Sequence, residues 1–234
     1  MKGKNITKNA NKRVVITVLG VILIVIVGGV GIFFGKWMIY GTSVERLKNE
    51  YKKEIPTVTC AIDTDGDGID DQMDFFQGTL DYIETKPKYK SKYYNTGYSD
   101  DGYGVCTDVI ANAALAAGYD LMELLQEDIV ANPKAYDIQE PDANIDFRRV
   151  KNLKVYFNHT ATSLTTDVSA IEEWQGGDIV IFENHIGVVS DRRNKNGVPY
   201  VIHHNDPFQA SYEEDILESR NDIVGHYRIG NTNN

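Results

Sequence analysis

Hydrophobic and polar positions divide this chain into three regimes. The first is one unbroken run from Val14 to Phe34, VVITVLGVILIVIVGGVGIFF, in which Thr17 is the one conventional polar residue. Roughly 20 such residues at ~1.5 Å rise cross a bilayer core, so the run predicts a transmembrane helix over residues 14–35. A cleavable signal segment is shorter, ~7–15 apolar residues ending in small ones. This run instead continues into Gly-Lys-Trp-Met-Ile-Tyr, with Trp37 and Tyr40 where aromatic belts sit. An uncleaved anchor is therefore expected.

The second regime has helical spacing. Thr42 to Pro56 is charged with a weak helical period and reads as a stalk, part of a linker over residues 36–62. Phe75 to Glu84, Cys106 to Ala117 and Leu121 to Val130 read as helices, the second closed by Gly118. Asp142 to Phe157 is expected to be helical as well. A loop rich in Tyr and Gly, Tyr89 to Gly104, separates the first two. The third regime alternates: Asp178 to Phe182, Val198 to His203 and His185 to Ser190 predict strands, and Asn194-Lys195-Asn196-Gly197 predicts a hairpin turn. Helices first and an antiparallel meander second is an α+β layout. The expected fold is thus a helical layer packed on an antiparallel sheet over residues 63–234, preceded by a single transmembrane helix.

Charge sets the orientation and removes one class of partner. Residues 1–40 hold six Lys/Arg (Lys2, Lys4, Lys8, Lys12, Arg13, Lys36) and no acid. The remainder holds 18 bases against 34 acids. A basic tail over residues 1–13 favours a cytoplasmic N-terminus, which puts everything after Tyr40 outside the cell. An ectodomain this acidic repels nucleic acid, and no nucleic-acid partner is expected.

Residues 63–74 read D-T-D-G-D-G-I-D-D-Q-M-D. As a twelve-residue calcium loop this places Asp63, Asp65 and Asp67 at positions 1, 3 and 5, with Gly68 at the sharp turn. The Ile69 carbonyl falls at position 7, Asp71 at 9 and Asp74 at 12. Hard Ca²⁺ takes six to eight oxygens, and this spacing wraps them around one point. A structural Ca²⁺ is expected, against the alternative of a solvated acidic turn; Asp74, one methylene shorter than the usual Glu, would close the site more weakly.

Cys106 follows G-Y-G-V and opens a small apolar helix. A thiol at a helix N-terminus feels the positive dipole end, which favours the thiolate; a buried core cysteine is the plain alternative. His185 opens one strand and His203 closes the next, so the two imidazoles are expected side by side across the hairpin. A Cys on a helix end, a His at a strand end and a third polar residue orienting that His form an activated-nucleophile arrangement. His204 and Asn205, next to His203, compete for the third place. A zinc site lacks the ligand spacing, whereas a Cys60–Cys106 disulfide stays open in an extracellular chain.

The segments DTDGDGIDD, GVCTDVI, AAGYDL, NIDFRRV, EWQGGDIV, HIGVVSD, VIHHN and GHYR together resemble the bacterial domain-of-unknown-function family 1287, grouped with the NlpC-like, papain-like cell-wall hydrolases. The resemblance implies a papain-like core with Cys106 as nucleophile, His185 as base and His203 as the third polar residue. It implies an extracellular cysteine peptidase or amidase acting on peptidoglycan peptides, with no organic cofactor. Arg148 or Arg149 could grip a substrate carboxylate, or form a structural ion pair with the many acids. Two other functions share the same residues: an idle, calcium-stabilised binding module for cell wall or protein, and an acyltransferase in which an amine intercepts the thioester.

Overall fold

A computed structural model describes residues 3–58 and 60–230, without the side chains of 3–14, 33–34 and 36–40. The basic flank Lys2 to Arg13, Lys36 and the rings of Trp37 and Tyr40, expected to anchor the span, lie outside the described side chains. The chain forms two compact units, residues 1–41 and 42–234. The first is one helix, α1 (Gly3–Tyr40). Its stretch Val15–Ile32 is long and apolar enough to cross a membrane, the one such helix among the described residues, and none of it is buried.

The second unit is a mixed α/β domain. Among the described residues its helices are α2 (Asp71–Glu84), α3 (Cys106–Ala116), α4 (Leu121–Ala131), α5 (Ala143–Asp146) and α6 (Val150–Thr160). Two short strands, β1 (Lys88–Tyr89) and β2 (Tyr103–Gly104), pair in parallel and close the Tyr-rich loop. The sheet comprises β3 (Thr162–Ser163), β4 (Ile179–Phe182), β5 (His185–Arg193), β6 (Pro199–Ile202), β7 (Glu213–Glu214) and β8 (Ile223–Arg228). Its order is β3-β8-β4-β5-β6-β7, antiparallel throughout.

The pleat gives this sheet two buried faces. Ile179, Ile181, Ile186, Val188 and Ile202 join Val109, Ile110 and Ala113 of α3 in the main core. Val180, Phe182, Val189 and Val201 face a second cluster around Trp174 and Leu217. Helices α2 and α3 pack closely because Gly78 has no side chain: a Cβ there would lie 2.3 Å from Ala116 Cβ. Asp70 caps α2 and Asp120 caps α4, each accepting a backbone N–H of the first turn.

Three expectations change. The stretch Thr42–Pro56 is neither helical nor a stalk. It lies along the domain, with Arg46 hydrogen-bonded to Glu213 (2.9 and 2.8 Å) and Glu50 N–H donating to Arg193 O (2.8 Å). The helix expected over 142–157 is two, because Phe147 to Arg149 leave the helical path between α5 and α6. Strand β8 was not foreseen. Its run IVGHYR has no clean alternation, and His226 and Arg228 are buried through the carboxylate of Asp178 (3.0, 2.7 and 2.7 Å) rather than through hydrophobicity.

Candidate active site

Cys106 is the first residue of α3, and the helix start is held by a buried ion pair. Asp108, at the third helical position, accepts the Val105 N–H (2.8 Å) and two bonds from Arg148 (2.8 and 2.9 Å). Arg148 also donates to Lys92 O (2.7 Å), and its guanidinium lies over the Tyr94 ring. One residue thus ties the Tyr-rich loop to the cysteine helix. Of the two roles open to Arg148, the structure uses it for the internal ion pair. Arg149 is half-exposed, 3.9 Å from Asp146, and lines a different recess with Asp137, Ile138 and Lys151.

His185 and His203 meet as expected, His185 Nε2 to His203 Nδ1 at 2.9 Å. A glycine beside His203 leaves room for this arrangement: a Cβ on Gly187 would lie 3.2 Å from His203 Cβ and 2.6 Å from Val201 Cγ1. His203 Nε2 stands 3.1 Å from Glu214 Oε2. Its backbone N–H donates to Tyr212 O (2.9 Å). His203 is therefore the residue that meets His185. His204 points to the other side of the strand, between the rings of Tyr89 and Tyr212. Asn205 turns outward, its backbone N–H donating to Gln209 Oε1 (2.6 Å).

The thiol adjoins this pair through the backbone, where Ile186, next to His185, hydrogen-bonds the sulfur. The two side chains approach from different pleats. Cys106 packs on the main core, and His185 stacks on Phe182 of the second cluster (centroids 5.9 Å, 20° between planes). No hydrogen bond joins Cys106 Sγ to an imidazole among the described residues.

Burial decides the charge state. It pushes the Cys106 thiol up to about 11 from 9.0, outweighing the hydrogen bonds from Ile186 and Thr107. This corrects the expectation of a favoured thiolate: desolvating an anion costs more than one helix end returns. Burial also pulls His185 down to about 3, helped by the neighbouring His203 and by Arg220. Burial thus favours the neutral form of both the thiol and the imidazole. Tyr89, on β1, is close enough to feel Cys106, although burial is the first cause of its raised phenol. Both cysteines are free, so the disulfide alternative does not hold.

The acidic loop forms as a tight turn. Asp63 carboxylate oxygens accept the N–H groups of Gly66, Asp67 and Gly68 (2.7, 3.2 and 2.9 Å), and Gly68 takes φ +96° as the sixth position requires. Oxygens of Asp63, Asp65 and Asp67 come within 4.8 Å of one another. Asp74 is buried near them with Oδ2 unpartnered; burial first, then the charges of Asp67, Asp65 and Asp63, raise its carboxyl. Ile69 is exposed beside the turn. Asp71, expected at the ninth position, is instead turned to Thr64 (2.7 and 2.8 Å) and Tyr119, because it starts α2 in the core.

Two residues were missed from the sequence. Glu214 gave no signal, since an exposed Glu-Glu pair reads as a solvated turn. Tyr89 was one of many tyrosines in a loop, and only the parallel β1–β2 pairing sets it beside the cysteine.

Comparison with known proteins agrees with the resemblance from GVCTDVI to GHYR, while DTDGDGIDD lies before the matched residues. The chain is 38% identical over 152 residues to the uncharacterized protein YijF of Escherichia coli (strain K12), covering 61% of this chain and 72% of that protein. No solved structure matches it. A family profile described as a domain of unknown function, DUF1287, matches residues 76–229, from α2 through β8 and across every residue of the Cys106–His185–His203 constellation, and the chain belongs to that family.

Proposed function

We propose that residues 42–234 form a papain-like, NlpC-type cysteine hydrolase that cleaves an amide bond in peptidoglycan peptides outside the cell. The observation that carries this reading is the 2.9 Å His185–His203 contact beside a cysteine that opens a helix. In the reaction the Cys106 proton passes to His185 as sulfur attacks the carbonyl carbon, giving a tetrahedral oxyanion. The Cys106 N–H, at the free end of the helix, is positioned to stabilise it. Collapse expels the amine, which takes the proton from His185 and leaves a thioester. Water then attacks the thioester, regenerating the thiol and releasing the carboxylic acid. A neutral thiol and imidazole suit this concerted transfer, and the hydrogen bond between them is expected to form only when substrate binds. The cell-wall substrate rests on the apolar helix α1, the basic flank before it, and the NlpC-like resemblance.

A second reading, an idle binding module, draws support from the missing Sγ–imidazole hydrogen bond and the raised thiol. Incubating the full chain in detergent micelles with purified peptidoglycan separates the two. Released fragments identified by mass, absent with Cys106→Ala, support the hydrolase. Binding without fragments supports the module, and amine adducts would reveal acyl transfer.

We propose further that the acidic loop holds a structural Ca²⁺. The supporting observation is the buried, unpartnered Asp74 Oδ2 beside three carboxylates whose oxygens lie within 4.8 Å. Ca–O distances of about 2.3–2.6 Å fit a cluster of that width. Asp63, Asp65, Asp67 and Asp74 would supply the charge, with the Ile69 carbonyl beside them.

A further inference from the structure

We infer that Glu214 is a positioning residue: its carboxylate fixes His203, and through it His185, with the proton on Nε2 of each ring, leaving Nδ1 of His185 as the free base. The inference deepens the hydrolase reading and, for its role in turnover, rests on it.

Donors and acceptors around the two rings fix where their protons sit. A carboxylate only accepts, so the 3.1 Å contact from Glu214 Oε2 puts a proton on His203 Nε2. One other polar group faces that nitrogen, the side-chain amide of Gln209 at 3.5 Å. Its two N–H groups are already spent on His203 O (3.1 Å) and Ser211 O (2.8 Å), and its oxygen accepts Asn205 N–H (2.6 Å). Gln209 cannot flip or compete. In the neutral ring His203 Nδ1 is then bare, and the 2.9 Å contact makes it accept from His185 Nε2–H. His185 keeps one unprotonated nitrogen, Nδ1, with no partner among the described residues.

Register makes Glu214 the residue for this place. It pairs with Val201 on β6, two residues before His203 on the same pleat. Glu213 cannot substitute: it is buried against Ser190 (2.5 Å), Arg46 and the Leu47 N–H (2.5 Å). Glu214 keeps a third of its side chain exposed, so replacing it should spare the fold.

The test reads tautomers first and turnover second. In ¹⁵N-labelled full chain in micelles at pH 7, long-range ¹H–¹⁵N spectra should show the proton of His185 and of His203 on Nε2. Glu214→Ala should turn both into tautomer mixtures, and Glu214→Asp should restore part of the order. On peptidoglycan, Glu214→Ala should lower kcat about tenfold to a hundredfold with little change in KM, as loss of an orienting partner does. A wild-type His185 protonated at Nδ1, or spectra unmoved by Glu214→Ala, would overturn the inference. A wild-type chain with the stated tautomers but no turnover would sink the hydrolase reading and leave the Glu214 relay standing.

Discussion

Gly187 on β5 and His203, the residue after β6, approach so closely that a Cβ on the glycine would stand 3.2 Å from that of the histidine. The same atom would meet Ile202 O at 3.0 Å and Val201 Cγ1 at 2.6 Å. Gly187→Ala should therefore push His203 off His185 and cost about 1–3 kcal/mol of stability, the usual range for overpacking. Urea midpoints and peptidoglycan turnover check both effects. An alanine variant of full stability and activity would show that the pair tolerates displacement.

His204 invites the opposite change. It is fully buried between Tyr89 and Tyr212, and neither ring nitrogen has a hydrogen-bond partner among the described residues. An unmade buried hydrogen bond costs about 1–3 kcal/mol. His204→Phe should raise stability at pH 7 by about 1 kcal/mol on that scale. Burial also holds His204 down to about 4 against 6.5. Its stability contribution is present above pH 6.5 and is lost as pH falls through 4, because the unfolded chain binds the proton first. The variant's denaturation midpoint should thus change less than the wild type's between pH 6.5 and 4. A variant of equal or steeper acid sensitivity would refute this.

Cys106 should label slowly. With the thiol near 11 instead of 9.0, its thiolate fraction at pH 8 is about a hundredfold below that of an unfolded cysteine. Iodoacetamide labelling, followed by peptide mass mapping, should accelerate steadily up to about pH 11. Faster labelling than a free thiol at pH 7 would mean a thiolate–imidazolium pair, which the burial argument forbids.

How much of this could be read from residues alone varied with the kind of interaction. Cys106 at a helix start and the His185–His203 pairing were legible, since both follow from local periodicity and a recognisable turn. The charge state was not. The dipole at a helix end is a sequence feature, whereas desolvation arises from α3, β5 and the Tyr-rich loop closing over the sulfur. Strand β8 escaped because its interior position depends on Asp178, 50 residues upstream of Arg228. Thr42–Pro56 was misread for the same reason: its Arg46 meets Glu213 and Asp191, partners remote in sequence.

Calcium should raise the melting temperature of the full chain, and a chelator should lower it. At calcium a hundredfold above its dissociation constant, linkage gives ~2.7 kcal/mol. Asp63→Ala should abolish the difference, as should Asp74→Ala if its unpartnered oxygen is a ligand. Identical melting with and without chelator would mean that the loop's internal hydrogen bonds suffice.

Topology can be checked on intact bacterial cells. External protease should remove an epitope placed after Asn234 and spare one placed before Lys12. A protected C-terminal epitope would place the domain inside the cell and remove peptidoglycan as its substrate.

The position of β8 also dictates an order of events during synthesis. It lies inside the sheet between β3 and β4, yet it comes after every other strand of that sheet in chain order among the described residues. Until Arg228 has emerged, β4 has an open edge and Asp178 lacks both Arg228 and His226. A nascent chain therefore cannot complete the sheet before β8 has emerged. A message truncated before Ile223 yields a chain with an exposed strand edge and an uncompensated acid, a ready target for proteolysis.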